Sequence, residues 1–80
     1  MEINILAFGV AKEMIEQSLV SIQLNDATAV RDLKTLLEKK YPALKKLGSY
    51  MIAVNNEYAS DQTIINETDE VAIIPPVSGG

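Results

Sequence analysis

The last six residues, Pro75-Pro76-Val77-Ser78-Gly79-Gly80, form the segment of this chain best equipped to do chemistry. Gly79 and Gly80 carry no β-carbon, so they can enter a narrow channel and take backbone angles closed to other residues. A carboxylate on Gly80 is unshielded and open to activation by another protein. Pro75 and Pro76 lack N–H donors and hold φ in the extended range, which ends a strand and directs the tail away from the body. From Pro76 to Gly80 the extended tail reaches on the order of 16 Å. Two terminal glycines alone would also describe a frayed end. A rigid spacer placed directly after the apolar run Val71-Ala72-Ile73-Ile74 is not something a frayed end needs.

The rest of the chain offers little chemistry of its own. Cysteine and histidine are both absent. That removes disulfides, thiolate nucleophiles and thiolate metal sites, together with the commonest general base. Ser18, Ser21, Ser49, Ser60 and Ser78 have no histidine to activate them. No glycine-rich phosphate loop occurs. Asp61, Glu67, Asp69 and Glu70 lack the regular spacing of a calcium loop and read as solvated surface. Lys39, Lys40, Lys45 and Lys46 read as cations gathered near helix ends. The expectation is a chain that holds no cofactor or metal permanently.

Eighty residues with a net charge of −4 and 48% hydrophobic content make one small folded domain. The charge disfavours nucleic acid and suits partners with basic docking sites. The start Met1-Glu2-Ile3-Asn4-Ile5 lacks the basic opening of a signal peptide, and no stretch approaches the ~20 apolar residues of a membrane span. A cytoplasmic protein with no membrane contact is expected.

The elements that position the tail can be read from hydrophobic periodicity. Ile3 to Phe8 reads as a strand. Gly9 to Gln17 is a connection with room for a helical turn over Lys12 to Glu16. Leu19 to Leu24 alternates, with Val20, Ile22 and Leu24 on a buried face. A helix follows, with Thr28 as expected N-cap and Asp32 in its first turns. Its stripe is Val30, Leu33, Leu36, Leu37, Tyr41 and Leu44. Pro42 breaks the helix near Tyr41, and Gly48 stops the turn that follows. Tyr50 to Val54 is a third strand, Asn55-Asn56 a turn at positive φ, and Glu57-Tyr58 a short return. After the polar turn Asn66 to Asp69, Val71 to Ile74 is the last strand. Apolar throughout, it reads as central and buried on both faces.

This order predicts an α+β protein of the β-grasp, ubiquitin-like architecture: a mixed sheet of four or five strands with one main helix on one face. The domain spans residues 1–74 and the tail 75–80. One helix covers only one face of the sheet. If Ile3, Ile5, Val71 and Ile73 lie beneath it, then Leu6, Phe8, Ala72 and Ile74 are left outside. Tyr58 can join them in a docking patch beside the tail.

The segment Asp69-Glu70-Val71-Ala72-Ile73-Ile74-Pro75-Pro76-Val77-Ser78-Gly79-Gly80 resembles the C-terminus of the molybdopterin synthase small subunit, the MoaD type of sulfur carrier. Length and element order agree over essentially the whole chain. Ile5-Leu6-Ala7-Phe8 with the following Lys12-Glu13 resembles the first strand and loop of that family, and Ala53-Val54-Asn55 its third strand and turn. Where the family often carries larger aromatics near the last strand, this chain has Ile73-Ile74.

The resemblance implies that a ubiquitin-activating-type adenylyltransferase uses ATP to adenylate the Gly80 carboxylate. A sulfur donor protein then supplies the atom that converts it to a thiocarboxylate. The tail, Pro75 to Gly79, enters a large synthase subunit in a heterotetramer, and sulfur passes to a cyclic pterin. It also implies Phe8, Tyr58 and Ile74 as interface anchors. The chain is then a sulfur donor and not an enzyme on its own. A bare Gly-Gly is shared with carriers for thiamine thiazole synthesis and tRNA thiolation and with ubiquitin-like protein modifiers, so these readings stay open. So does a plain interaction module with an inert tail.

Overall fold

The computed structural model describes residues 1–76. Strand β1 (Glu2–Ala7) leads into helix α1 (Gly9–Ile15), then β2 (Leu19–Gln23) and helix α2 (Val30–Lys40). A 3₁₀ helix at Pro42–Leu47 precedes β3 (Met51–Val54), β4 (Glu57–Tyr58) and β5 (Val71–Ile74). The sheet order is β2-β1-β5-β3-β4. β5 runs parallel to β1, with Ile5 opposite Val71 and Ala7 opposite Ile73, and antiparallel to β3. The expected mixed sheet with the last strand at its centre is therefore present.

Strand alternation decides which side chains are buried. Ile3, Ile5 and Ala7 of β1, Val20 and Ile22 of β2, Ile52 of β3, and Val71 and Ile73 of β5 all lie in one core. From α2, Val30, Leu33 and Leu37 close over them and are fully buried. Leu36, expected in the same stripe, sits at its margin and is 40% exposed.

Three further expectations are corrected. The connection after β1 is a full helix, α1, whose Ala11 and Ile15 are buried in the core beside those of α2. The N-cap of α2 is Ala29, not Thr28. The first amides of α2 need no side-chain cap, because Val30 N–H donates to the Thr63 carbonyl (2.9 Å) and Arg31 N–H to that of Asp61 (3.0 Å). Thr28 instead donates its hydroxyl to the Asn25 carbonyl at 2.6 Å. Finally, β5 buries only Val71 and Ile73; Ala72 and Ile74 are half-buried, because no element covers their side.

Pro42 does end the main helix: Tyr41 is the C-cap and Pro42 opens the 3₁₀ turn, which stops at Gly48 (φ 74°). Asn55 and Asn56 adopt φ of 53° and 67°, as a tight hairpin turn demands. The Asn66–Asp69 turn is closed by the Asp69 carboxylate, which accepts from Asn66 N–H at 2.7 Å. Among the described residues no helix is long and apolar enough to cross a membrane.

A polar contact ties α2 to the segment that leads into β3. The hydroxyl of the buried Tyr50 donates to Glu38 Oε2 at 2.6 Å. Burial first, and the adjacent Glu38 carboxylate second, push the phenol well above its ordinary range. The unfolded chain then loses this proton at lower pH than the native state does. The stabilisation is intact below about pH 10 and falls as pH rises further. Replacing Tyr50 with Phe should cost about 1 kcal/mol at neutral pH and flatten that alkaline decline. Urea titrations across the alkaline range measure both.

Candidate functional site

The parallel pairing of β1 and β5 brings their C-terminal ends to the same end of the sheet. Phe8 leaves β1 there, and Pro75 leaves β5. The residues flanking the tail are therefore set by register, not by proximity in sequence. The outer, helix-free face carries the alternate side chains of every strand. Toward the start of β1 these are polar, where Ser21 Oγ donates to Asn4 Oδ1 at 2.9 Å. Toward the tail they are apolar. Leu6, Phe8, Ala53, Tyr58, Ala72 and Ile74 line an open depression of ≈ 480 Å³. Phe8 is 48% exposed and Tyr58 68% exposed.

The structure thus brings together Phe8 and Ile74, expected on one face from strand alternation, with Tyr58, expected to join them. Tyr58 reaches the group because β4 pairs with β3, setting Tyr58 opposite Ala53, which in turn lies opposite Ala72. Met51 pairs with Ile74 and is itself exposed, so it extends the apolar face. Leu19 was not anticipated. It stands opposite Leu6 across the β1–β2 ladder and is 51% exposed. Its signal was legible: it is the apolar member of the otherwise polar set Leu19/Ser21/Gln23. Glu70 and Asn56 add polar groups at the rim of the depression.

Pro75 is half-buried and Pro76 exposed, so the chain parts from the body across these two residues. Val77, Ser78, Gly79 and Gly80 lie outside the described residues. Among the described residues, no three of the His, Cys, Asp and Glu side chains group to hold a metal ion. The lysines of the basic cluster sit in the last turns of α2 and of the 3₁₀ helix, and Lys40 Nζ donates to the Ser21 carbonyl at 3.1 Å.

A family model described as ThiS family matches residues 5–80, from the core of β1 through the final glycine. The chain belongs to the ThiS family. The molybdopterin synthase sulfur carrier subunit of Dictyostelium discoideum is 43% identical over 83 residues, an alignment covering 99% of this chain and 96% of that protein. The resemblance first visible in the tail therefore extends over the whole length. Among solved structures, the small archaeal modifier protein 1 of Methanosarcina acetivorans has a TM-score of 0.81 at 26% identity, covering 99% of this chain and 96% of that one. A chain in the complex of subunits 1 and 2 of the molybdopterin-converting factor from Helicobacter pylori has a TM-score of 0.68 at 26% identity, with full coverage of both. This ThiS-family chain therefore shares its β-grasp fold with a chain of a molybdopterin-converting factor complex and with a small archaeal modifier protein.

Phe8→Ala should weaken partner binding more than folding in this ThiS-family protein. Phe8 lies outside the core, so truncation leaves no internal cavity, whereas a central aromatic at an interface is worth ~2 kcal/mol or more. Calorimetric titration with a partner and a melting curve separate the two effects. A large fall in melting temperature with unchanged affinity would return Phe8 to the core.

Proposed function

We propose that this chain is the sulfur-carrier subunit of molybdopterin synthase, with the Gly80 carboxyl as the group that carries sulfur. The observation that bears most weight is the exposed apolar patch at the end of the sheet from which the Pro75-Pro76 spacer departs. A docking surface set at the root of a narrow tail lets a partner hold the body while the tail reaches inside. The full-length likeness to a carrier of that name supports the same reading.

The chemistry follows from what a carboxylate lacks. It is a poor acyl donor, because oxide is a poor leaving group. An adenylyltransferase partner attaches AMP from ATP to the Gly80 carboxylate and releases pyrophosphate. A hydrosulfide equivalent from a sulfur donor protein adds to the acyl carbon, and AMP departs, leaving a thiocarboxylate. The large synthase subunit then holds that sulfur against a cyclic pterin precursor, where positioning replaces a bimolecular encounter. Phe8, Tyr58 and Ile74 anchor the body, and Pro75 to Gly79 thread the large subunit's channel. With no histidine or cysteine of its own, the chain supplies the sulfur and the address, while partner side chains catalyse. ATP belongs to the activating partner.

The test is mass spectrometry of the chain after incubation with an adenylyltransferase, ATP and sulfide, followed by transfer to the pterin precursor with the large subunit. Replacement of one oxygen by sulfur at Gly80 and its loss on transfer are expected. A second reading, a protein modifier joined through Gly80 to a lysine amine, draws on the fold shared with the archaeal modifier. It predicts an isopeptide-linked product in the same spectrum. A thiocarboxylate that forms but is consumed only by thiazole synthesis or tRNA thiolation would reassign the pathway.

A further inference from the structure

The corner between β1 and α1 touches the root of the tail. Phe8 has extended backbone angles (φ −122°, ψ 157°), and its carbonyl accepts from Ala11 N–H at 3.1 Å and Lys12 N–H at 3.3 Å. The chain therefore changes from strand to helix within one residue, Gly9, whose φ is +54°. Only a left-handed residue makes so sharp a corner, and glycine does so without steric cost.

A second constraint acts at the same position. A β-carbon built on Gly9 would lie 3.2 Å from Pro75 Cγ. Ordinary carbon–carbon contact starts near 3.5 Å. The Pro75 ring thus rests directly on the Gly9 backbone, where a side chain would push it away. Pro75 is the first residue after β5, and Pro76 follows it. Two consecutive prolines make a stiff lever, so a displacement at Pro75 is passed on to the residues beyond instead of being absorbed.

We propose that Gly9 is a positioning residue for the tail: its bare Cα seats the Pro75 ring and sets the direction in which the tail leaves the sheet. This inference rests on the carrier reading for its consequence in sulfur transfer, but the contact itself does not. The role assigned to Gly9 is not a chemical one. It acts through Pro75. A side chain at Gly9 tilts the lever and moves the acyl carbon away from its acceptor, while the apolar patch on the body is left in place.

The experiment separates contact from backbone strain. Asn tolerates left-handed angles better than Ala, yet both add a β-carbon. Gly9→Asn and Gly9→Ala are made with Pro75 present and again in a Pro75→Ala background, where Cγ is absent. The chain has no cysteine, so Ser78→Cys accepts a single nitroxide label. Paramagnetic broadening of domain amides then reports where the tail points.

With Pro75 present, Gly9→Asn should move the broadened set and lower the maximal rate of sulfur transfer roughly tenfold. The concentration of large subunit giving half that rate should stay near wild type. In the Pro75→Ala background the same substitution should change neither further. An unmoved broadening pattern in Gly9→Asn would overturn the proposal. So would equal effects in both backgrounds, which would assign the loss to strain at residue 9. If broadening moves as expected but the wild-type chain itself transfers no sulfur, the carrier reading fails and the tail-seating contact stands.

Discussion

A chain ended at Gly79, or extended by one residue beyond Gly80, is expected to transfer no sulfur and to melt at the wild-type temperature. In the proposed role the reacting carbon is the Gly80 carboxyl. Removing Gly80 leaves a carboxylate one residue short, about 3.5 Å back along an extended tail. A nucleophile or acceptor placed for the full-length tail is then beyond bonding distance, and misplacement of even 1 Å costs on the order of a hundredfold in rate. Extension converts the carboxyl to an amide, which ATP cannot adenylate. Folding has no stake in either change. Among the described residues the buried core runs from Ile3 to Ile73. Circular dichroism melts and a pterin-sulfuration assay give the two readouts. Full activity in the shortened chain would end the carrier hypothesis.

The second large effect is expected at Gly79. Gly79→Val should block activity far more severely than Ser78→Ala, with both variants folded. A branched side chain adds bulk where the tail must thread a channel, and it removes the backbone angles that only glycine reaches freely. Loss of the Ser78 hydroxyl removes at most one hydrogen bond, worth roughly 1 kcal/mol or a few-fold in rate. Adenylate formation and sulfur transfer should be measured separately, since two partners must each accept the tail. A block at both steps means both partners enclose Gly79; a block at one step assigns the narrow channel to that partner. Wild-type rates at both steps would make Gly79-Gly80 a flexible end and nothing more.

Much of the site was legible because strands report their faces directly. In β1, alternation separates Ile3, Ile5 and Ala7 from Leu6 and Phe8, and burial follows that split. The same rule separates Val71 and Ile73 from Ala72 and Ile74. An unbroken apolar run such as Val71 to Ile74 does not by itself mean burial on both faces. Ala72 and Ile74 instead line the open depression on the helix-free face, a surface that imitates a core in composition. Leu36 misled for a related reason: a helical stripe has margins, and periodicity alone does not say where the covered arc ends.

Other features depended on contacts between residues far apart in sequence. Thr28 had the right chemistry for an N-cap, but the carbonyls of Asp61 and Thr63 come back to the start of α2 and satisfy its first amides. Segment 9–17 reads in sequence as a connection with room for only a helical turn, since a seven-residue helix is too short to be stable alone; burial of Ala11 and Ile15 in the core supplies what propensity lacks. Leu19 joins the patch only through pairing with Leu6.

By itself the sequence determined the order of the strands and the main helix, the inward face of each main strand, the chemistry barred by the absence of cysteine and histidine, and the side-chain-free pair Gly79-Gly80. These are local properties, carried by alternation, composition and backbone permissiveness. Only the tertiary structure decided that β1 and β5 end side by side, that the apolar patch adjoins the tail, and that Pro75 rests on Gly9. Those are matters of register and close approach between segments more than sixty residues apart, and they exist only once the whole core has packed.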